Sequence, residues 1–345
     1  MSGSKKLKVV CVGAGYFSQY HYDAWHRLAD VSLAGVCNRS VDRAAEFAEK
    51  YSIPHYGGCI REVLKATEPD VVDIITPPET HLASVKAAAA MGVDAICQKP
   101  FGENLKQAEE MVLVAEEAGI KLIIHENFRF MPWFRQIKQI LDSGFAGKIL
   151  NARFSLRPGD GQGEDAYLAR QPYFQTMEKF LVHETAIHLV DTFRYLFGNI
   201  KSVYAHLRRC NPVIKGEDSG LIIFEHHNNM QAVFDGNRLL DHASSNTRRT
   251  MGELLIEGTQ GCIRLDGEGR IWQRAFGEQE EKQVGYNWAD QNFGGDCVYN
   301  LIEHITKHYV HGGELENQGK EFVQNIVIEN AIYHSYEERK VVHIK

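Results

Sequence analysis

The chain has 345 residues, of which 44% are hydrophobic and 24% are charged, and its formal net charge is −7. That length predicts two globular domains, and the negative charge argues against a nucleic-acid or anionic-membrane partner. We expect a cytoplasmic protein, because no apolar run approaches the roughly 20 residues of a membrane span and residues 1–6 lack a signal-peptide core. The seven cysteines form no C-x-x-C pair, so we expect neither disulfides nor a zinc site.

The first element is an apolar, mostly β-branched run at residues 9–12, which predicts a strand buried on both faces. Gly13-Ala14-Gly15 and a helical sequence follow, as in a dinucleotide-binding fingerprint. Gly13 permits a tight turn, Gly15 lets a pyrophosphate approach the backbone, and Ser18 replaces the third glycine. The residues that this turn contributes to the predicted cofactor site are Gly13, Gly15, Tyr16 and Phe17. The alternative is a purely structural glycine turn.

The second predicted strand, Val31–Cys37, ends at Asn38-Arg39-Ser40. Asn38 stands where the fingerprint usually places an acid on the adenosine ribose. The Asn38 amide can bond a ribose hydroxyl without repelling a 2′-phosphate, and Arg39 could pair with that phosphate or stack on adenine. Both residues are therefore assigned to the cofactor, with a slight preference for NAD over NADP and a plain strand-end turn as the alternative.

Helices and strands continue to alternate up to residue 125, which predicts a doubly wound parallel sheet of six strands. The sequence places five of these strands. The helices are expected at 42–50, 60–66, 82–91 and Leu105–Ala118, and the later strands at 71–76, 94–97 and 121–125.

Two turns follow strands of this sheet, at the edge where open parallel sheets bind their ligands. Thr76 and Pro77 could line the nicotinamide ribose, and His81 either contacts the cofactor or packs at the start of a helix. The second turn, Gln98-Lys99-Pro100, would hold Lys99 beside the cofactor, because proline makes the turn rigid.

The chain resembles the Gfo/Idh/MocA oxidoreductase family, named for glucose–fructose oxidoreductase and inositol dehydrogenase. The resemblance is carried by Gly13-x-Gly15, Thr76-Pro77 with His81, Lys99-Pro100, residues 126–130, and the helix with Glu184 and His188. It implies that Lys99 is the catalytic lysine and that Glu184 and His188 match the family's Asp-x-x-x-His pair, with a carboxylate one methylene longer. Gln98 replaces the glutamate of the family's Glu-Lys-Pro turn, so charge pairing with Lys99 from that position is lost.

The resemblance also implies an α/β fold with a Rossmann domain at 1–125 and an α+β domain at 126–345 that binds substrate and makes oligomers. The pattern agrees, because short polar turns between strands predict a large, mostly antiparallel open sheet. One sheet face would pack on helices, and the other would form a homodimer or homotetramer. Helices are expected at 131–141, 295–309 and Gly319–Glu338, and strands at Ile149–Leu156, 200–209, Ser219–His226, 230–237, 252–257 and Gly261–Leu265.

Residues 157–180 form a long loop of mixed polarity, predicted as a cover over the substrate, with a disordered excursion as the equal alternative. A helix at 181–197 follows. At about 100° per residue, one side is apolar and the other carries a titratable row that the helix would display. A solvated polar face is the alternative for this row, which comprises Glu184, His188, Asp191 and Tyr195.

Oxidation of an alcohol removes a hydroxyl proton as hydride leaves the carbon. We assign His188 as the general base, because imidazole titrates near neutrality. Lys99 would stabilise the charge that develops on the same oxygen, and Glu184 would orient the substrate or His188. His183 and His188 lack the spacing of the zinc motif H-E-x-x-H, so no metal is predicted.

Sugars and polyols are held by polar groups that bond hydroxyls and by aromatic rings against C–H faces. Asn127 is assigned to the cofactor. The predicted activity is an NAD- or NADP-dependent dehydrogenase that oxidises an aldose at C1, a pentose such as apiose, or a cyclitol. The alternatives are an NAD-dependent glycoside-cleaving enzyme of the same family and a non-catalytic sensor or scaffold. Beyond the catalytic set, the predicted substrate contacts are Arg129, Trp133, Phe174, His183, Trp288 and Asn292.

Overall fold

The structure is a computed structural model that describes residues 6–344. Residues 1–5, in which we expected no signal-peptide core, lie outside the described residues. The chain divides into two compact units. The first runs up to Asn127 and includes Val298–Gln324, and the second comprises Phe128–Cys297 and the described residues from Asn325 onward.

The first unit contains a six-stranded parallel sheet in the order β3-β2-β1-β4-β5-β6, which confirms the predicted doubly wound sheet. The strand that the sequence did not place is β3, whose three residues lie at the sheet edge and lack a buried apolar run. The elements are β1 Leu7–Val12, α1 Ser18–Arg27, β2 Val31–Cys37, α2 Val41–Tyr51, β3 His55–Gly57, α3 Ile60–Thr67, β4 Val71–Ile74, α4 His81–Ala89, β5 Asp94–Gln98, α5 Leu105–Ala118 and β6 Leu122–His125.

The second unit is built on a nine-stranded sheet in which β7 and β10 are the one parallel pair, so the mostly antiparallel prediction is confirmed. The sheet order is β14-β13-β12-β11-β7-β10-β9-β8-β15. The remaining elements of the chain are α6 Pro132–Asp142, β7 Ile149–Leu156, a π-helical segment Leu181–Ala186, α7 Ile187–Phe197, β8 Ile200–Arg208, β9 Ser219–His226, β10 Gln231–Asn237, β11 Gly252–Gly258, β12 Gly261–Leu265, β13 Ile271–Ala275, β14 Lys282–Val284, α8 Cys297–His311, α9 Gly319–Glu338 and β15 Val342–His343.

One face of the nine-stranded sheet carries the core of the second unit. The strands contribute Phe154, Phe224 and Phe234, which alternate with outward-facing residues and are almost fully buried. Trp133 of α6 and Phe193 of α7 complete this aromatic core. The sequence did not place β13, β14 and β15, because these short strands carry few buried apolar residues.

The loop at 157–180 is folded, which excludes the disordered alternative. Its aromatic residues pack around the guanidinium of Arg238, which lies 5.2 Å from the Tyr167 ring centroid and 4.8 Å from that of Phe180. Arg238 is 2% exposed, and its Nη2 donates to Asp160 Oδ2 at 2.8 Å. Although burial opposes the charge, Asp160 raises the Arg238 pKa above its usual value. Arg238, which directly follows β10, therefore anchors this loop.

Replacing Arg238 with methionine is expected to lower the free energy of unfolding by about 3 kcal/mol, because Asp160 then remains in the loop without its main cation. Urea-induced unfolding measures the change, and trypsin cleavage within residues 157–180 should accelerate. The control is Arg264→Met, which removes the partly exposed ion pair with Glu281 and should cost less than about 1 kcal/mol. Equal losses in the two variants would contradict the anchoring role.

Among residues 6–344, no helix is long and apolar enough to cross a membrane.

Candidate active site

The glycine turn after β1 has the geometry that a dinucleotide requires. Gly13 has φ +116°, and a Cβ at this position would lie 2.7 Å from the Ile75 carbonyl oxygen, so no side chain fits. A Cβ on Gly15 would meet nothing within 4 Å, which leaves open space beside the backbone at the start of α1. Ser18, which replaces the third glycine, is buried and donates to the Gly15 carbonyl at 2.6 Å. The turn and the N-terminus of α1 thus fit a pyrophosphate.

The two glycines should respond differently to alanine. Gly13→Ala is expected to destabilise the protein by about 1–3 kcal/mol, because its φ is positive and its Cβ meets a backbone oxygen. Gly15→Ala should leave the unfolding midpoint unchanged and weaken NAD binding at least about tenfold, because the methyl group occupies the space predicted for the pyrophosphate. Urea-induced unfolding and NAD titration by fluorescence measure the two effects. Wild-type NAD affinity in Gly15→Ala would contradict the phosphate-binding assignment.

Asn38 ties the end of β2 to this glycine turn. Its Oδ1 accepts from the Ala14 N–H at 3.2 Å, and its Nδ2 donates to the Ser40 carbonyl at 2.9 Å. Arg43 also reaches the turn, donating from Nη2 to the Ala14 carbonyl at 3.3 Å. Arg39 is exposed. The roles of Asn38 and Arg39 toward the ribose remain predictions.

His81 bridges the turn after β4. The ring is fully buried, and its Nε2 lies 2.7 Å from the Thr76 carbonyl, so Nε2 is the protonated nitrogen that donates. Burial lowers the pKa of His81, which keeps the ring neutral. Thr80 donates to Thr76 Oγ1 at 2.6 Å and closes the same turn. His81 therefore packs at the start of α4. Cofactor contacts by Thr76, Pro77 and His81 stay predictions.

The lysine turn stands at the carboxyl end of β5. The Lys99–Pro100 peptide bond is cis. Gln98 Oε1 accepts from the Lys99 backbone N–H at 2.7 Å, so the amide that replaces the family's glutamate binds the backbone of the lysine. Because β1, β4 and β5 are consecutive in the sheet, the glycine turn, the Thr76 turn and the Lys99 turn share one edge of the first unit. Asn127, at the end of β6, is buried.

In the second unit, Glu184 lies on a π-helical segment, which the projection at a constant helical angle did not anticipate. This segment begins at a buried carboxylate, because Glu217 Oε1 accepts from the N–H groups of Phe180 and Val182 at 3.2 and 3.0 Å. His183 Nδ1 lies 2.7 Å from Glu329 Oε1. Single π-turns occur often at functional sites. Glu217 was missed by the sequence analysis, because it lies 37 positions from its Phe180 partner.

The prediction that a helix at 181–197 displays a titratable row is wrong, because two residues of the row are buried and the other two, Glu184 and Tyr195, are half-buried. His188 is 5% exposed, and its ring stacks on Phe128 with centroids 3.9 Å apart and planes 3° apart. Asp191 is 1% exposed and receives two hydrogen bonds of 2.7 Å from Arg129. Asn325 donates a third at 2.8 Å. The bidentate pair compensates the buried carboxylate. Whether Arg129 also contacts substrate remains a prediction.

Four other residues that the sequence predicts as substrate contacts lie in the second unit. Trp133 is fully buried and meets Trp288 edge to face, with ring centroids 5.6 Å apart. Phe174 is buried in the aromatic cluster of residues 157–180. Asn292 donates to Asp296 Oδ1 at 3.1 Å. Substrate contact by these residues stays a prediction. Within residues 6–344, no group of three or more His, Cys, Asp or Glu side chains is arranged to hold a metal ion.

Comparisons with known proteins cover almost the whole chain. Residues 7–126 match the model described as "Oxidoreductase family, NAD-binding Rossmann fold", and residues 134–264 match the GFO/IDH/MocA C-terminal domain. A D-apiose dehydrogenase of Rhizobium rhizogenes is 30% identical, with 98% of each chain covered. A D-apiose dehydrogenase of Paraburkholderia graminis is 29% identical over 99% of this chain and 90% of the relative.

A solved structure gives the same result for the fold. An oxidoreductase from Agrobacterium radiobacter, crystallised with NAD+, L-tartaric acid and magnesium, is 29% identical and superposes with a TM-score of 0.89. The match covers 98% of each chain. The similarity therefore extends through both units.

Proposed function

Because the chain belongs to the Gfo/Idh/MocA family and is an NAD-dependent oxidoreductase, we propose that it oxidises a CH–OH group of a sugar, with His188 as the base and Lys99 as the group that stabilises the oxygen. The observation that carries the proposal lies in the first unit. Three neighbouring strands, β1, β4 and β5, end in the glycine turn, the Thr76 turn and the Lys99 turn. That edge is where open parallel sheets bind ligands.

NAD supplies the hydride acceptor when it is bound. His188 removes the hydroxyl proton of the substrate, and the parallel Phe128 ring holds the imidazole plane. The Lys99 ammonium donates a hydrogen bond to the same oxygen and stabilises its developing negative charge. Glu184 orients the substrate or His188. These roles follow from the family resemblance and are compatible with the half-buried settings of Lys99 and Glu184.

The first substrate to test is D-apiose, because the two relatives that carry this name span almost the whole chain. Oxidation of an aldose at C1 would yield the lactone. A cyclitol with a secondary alcohol is the second class within the proposed activity. The NAD-dependent glycoside-cleaving enzyme and the non-catalytic sensor remain the alternatives, and each has a different outcome in the same assay.

The test is a panel of aldoses, cyclitols and glycosides with NAD and, separately, with NADP, followed by the absorbance of the reduced nicotinamide. The proposal expects sugar-dependent formation of NADH, and reactions without sugar give the baseline. Release of free sugar from a glycoside without net NADH would favour the cleaving enzyme. NAD binding without turnover of any compound would favour the sensor. Either of these results overturns the dehydrogenase proposal.

We also propose that the enzyme acts in the cytoplasm as a homodimer or homotetramer formed through the open face of the nine-stranded sheet. The described cysteines form no disulfide, as expected in a reducing compartment. The open face presents Tyr204 of β8 and Leu221 of β9, which are 37% and 42% exposed. Exposed apolar side chains on a wide sheet face are typical of an interface.

Leu221→Arg is therefore expected to shift the assembly toward the monomer, because the new charge would be buried at the interface. Size-exclusion chromatography with light scattering measures the molar mass. The matched control is Leu113→Arg on α5, where the leucine is 53% exposed on the first unit and the mass should stay at the wild-type value. A monomeric wild-type protein, or an unchanged mass for Leu221→Arg, would contradict this interface.

A further inference from the structure

A chain of buried polar side chains lies beneath the Lys99 turn, entirely within the first unit. It begins at Asp73 in the middle of β4, a carboxylate with no exposed surface. Asp73 Oδ2 accepts from Trp25 Nε1 at 2.8 Å and lies 2.9 Å from His21 Nδ1. His21 Nε2 in turn lies 3.2 Å from Gln98 Nε2. The chain therefore connects a buried charge with the residue before Lys99.

The hydrogen-bond directions in this chain are fixed by one backbone group. The Lys99 N–H can only donate, so the Gln98 atom that faces it at 2.7 Å is the carbonyl Oε1, and the amide Nε2 faces His21. Since Gln98 Nε2 also donates, His21 Nε2 must carry the lone pair that accepts. The ring proton is then on Nδ1 and is donated to Asp73. His21 is consequently a neutral imidazole, and every bond from Lys99 to Asp73 runs in one direction.

The cysteine and tyrosine side chains around Asp73 stay uncharged near neutral pH. Burial raises the pKa of the Cys11 and Cys97 thiols, and the Asp73 charge raises both further, so neither thiol ionises near neutrality. Burial also raises the pKa of the Tyr22 hydroxyl, and the Asp73 charge adds to the increase. The ring of His125 in β6 packs against the His21 ring, with centroids 3.9 Å apart and planes tilted by 32°. Asp73 orients the His21 ring, because its Oδ2 lies 2.9 Å from Nδ1.

We infer that His21 and Gln98 are positioning residues that hold the backbone of Lys99, and that glutamine at position 98 is matched to a neutral His21. The inference rests on the proposed catalytic role of Lys99. A glutamate at position 98 would turn a carboxylate oxygen toward the lone pair of His21 Nε2. That contact is repulsive unless His21 takes up a proton and becomes an imidazolium. The replacement of the family's glutamate by Gln98 therefore sets the charge of a buried histidine.

The protonation state is tested directly by the ¹⁵N chemical shifts of the His21 ring in the intact protein. The wild type should show a protonated Nδ1 and an unprotonated Nε2 at neutral pH. In Gln98→Glu, both ring nitrogens should be protonated. A wild-type ring protonated at Nε2, or a Gln98→Glu ring that stays neutral, would overturn the matched pair. These spectra need no turnover, so they remain decisive if the proposed activity fails.

The positioning role is tested by kinetics. His21→Phe keeps an aromatic ring against His125 and removes both hydrogen bonds, so kcat should fall about tenfold or more while the sugar KM and the NAD Kd stay within about twofold. His21→Gln, whose Oε1 can again accept from Gln98, should recover at least part of the loss. The control is His226→Phe, because His226 is equally buried but lies in the second unit.

Each outcome of this experiment separates the inference from the proposed function. Wild-type kcat in His21→Phe, with an active wild-type enzyme, would overturn the positioning role and leave the dehydrogenase proposal intact. Equal losses in His21→Phe and His226→Phe would overturn it as well, since they would reflect only the deletion of a buried histidine. A wild type that reduces no NAD with any sugar would overturn the proposed function, and the ¹⁵N spectra would then decide the pairing.

Discussion

Replacing His188 with alanine is expected to lower kcat at least about a hundredfold, because the substrate hydroxyl loses its proton acceptor at the moment when hydride leaves. The NAD Kd should change by less than about twofold, since the glycine turn and the Lys99 turn lie in the first unit and are untouched. Initial rates of NADH formation and an NAD titration measure the two quantities separately. The expected result is therefore a loss in turnover without a loss in cofactor binding.

The alanine variant offers its own control. The deletion leaves a space beside Phe128, on which the imidazole stacks in the native protein. Imidazole added to the assay should enter this space and restore part of the rate, whereas a purely structural loss would not be rescued. Near-normal turnover in His188→Ala would remove His188 from the mechanism.

Replacing Lys99 with methionine is expected to have an effect of similar size, at least about a hundredfold on kcat. Methionine keeps much of the length of the side chain and removes the ammonium that would stabilise the charge on the substrate oxygen. Initial rates at saturating NAD and sugar measure the loss. Lys99→Arg should recover only part of it, because a planar guanidinium does not reproduce a compact ammonium.

The matched control is Lys86→Met, which removes an exposed lysine of α4 that pairs with Glu110. This variant should retain wild-type kcat. If the kcat of Lys99→Met were within a few-fold of that of Lys86→Met, the lysine would be excluded from catalysis. That result would leave the dehydrogenase activity of the wild type intact.

The first unit was the more predictable part of the fold. Its strands are buried on both faces and appear in the sequence as short apolar runs, so their order and connections follow from general rules for parallel sheets. The strand β3 escaped because its three residues are mostly exposed. In the second unit, β7 and β9 alternate between buried and exposed residues and were placed, whereas the short strands β13–β15 were not.

The side-chain partners of the site were less predictable than its backbone. Asp191 was expected on a displayed face, and its burial depends on Arg129, which lies 62 positions earlier in the chain. The π-helical turn at Glu184 depends on the Glu217 carboxylate, and no helical periodicity encodes it. Asp73 did leave a signal, since a carboxylate within the apolar strand β4 must have buried donors. Its donors, His21 and Trp25, became evident only in the folded chain.

The proposed reaction transfers a hydride from a sugar carbon to NAD, and deuterium labelling follows that transfer. The sugar that gives the strongest signal in the panel is prepared with deuterium on the carbon that carries the oxidised hydroxyl, and the reduced cofactor is analysed by mass spectrometry. We expect one deuterium in each molecule of NADH formed, together with the oxidised sugar in equal amount. Reduced cofactor without deuterium, or sugar consumption without reduced cofactor, would contradict the proposed dehydrogenase.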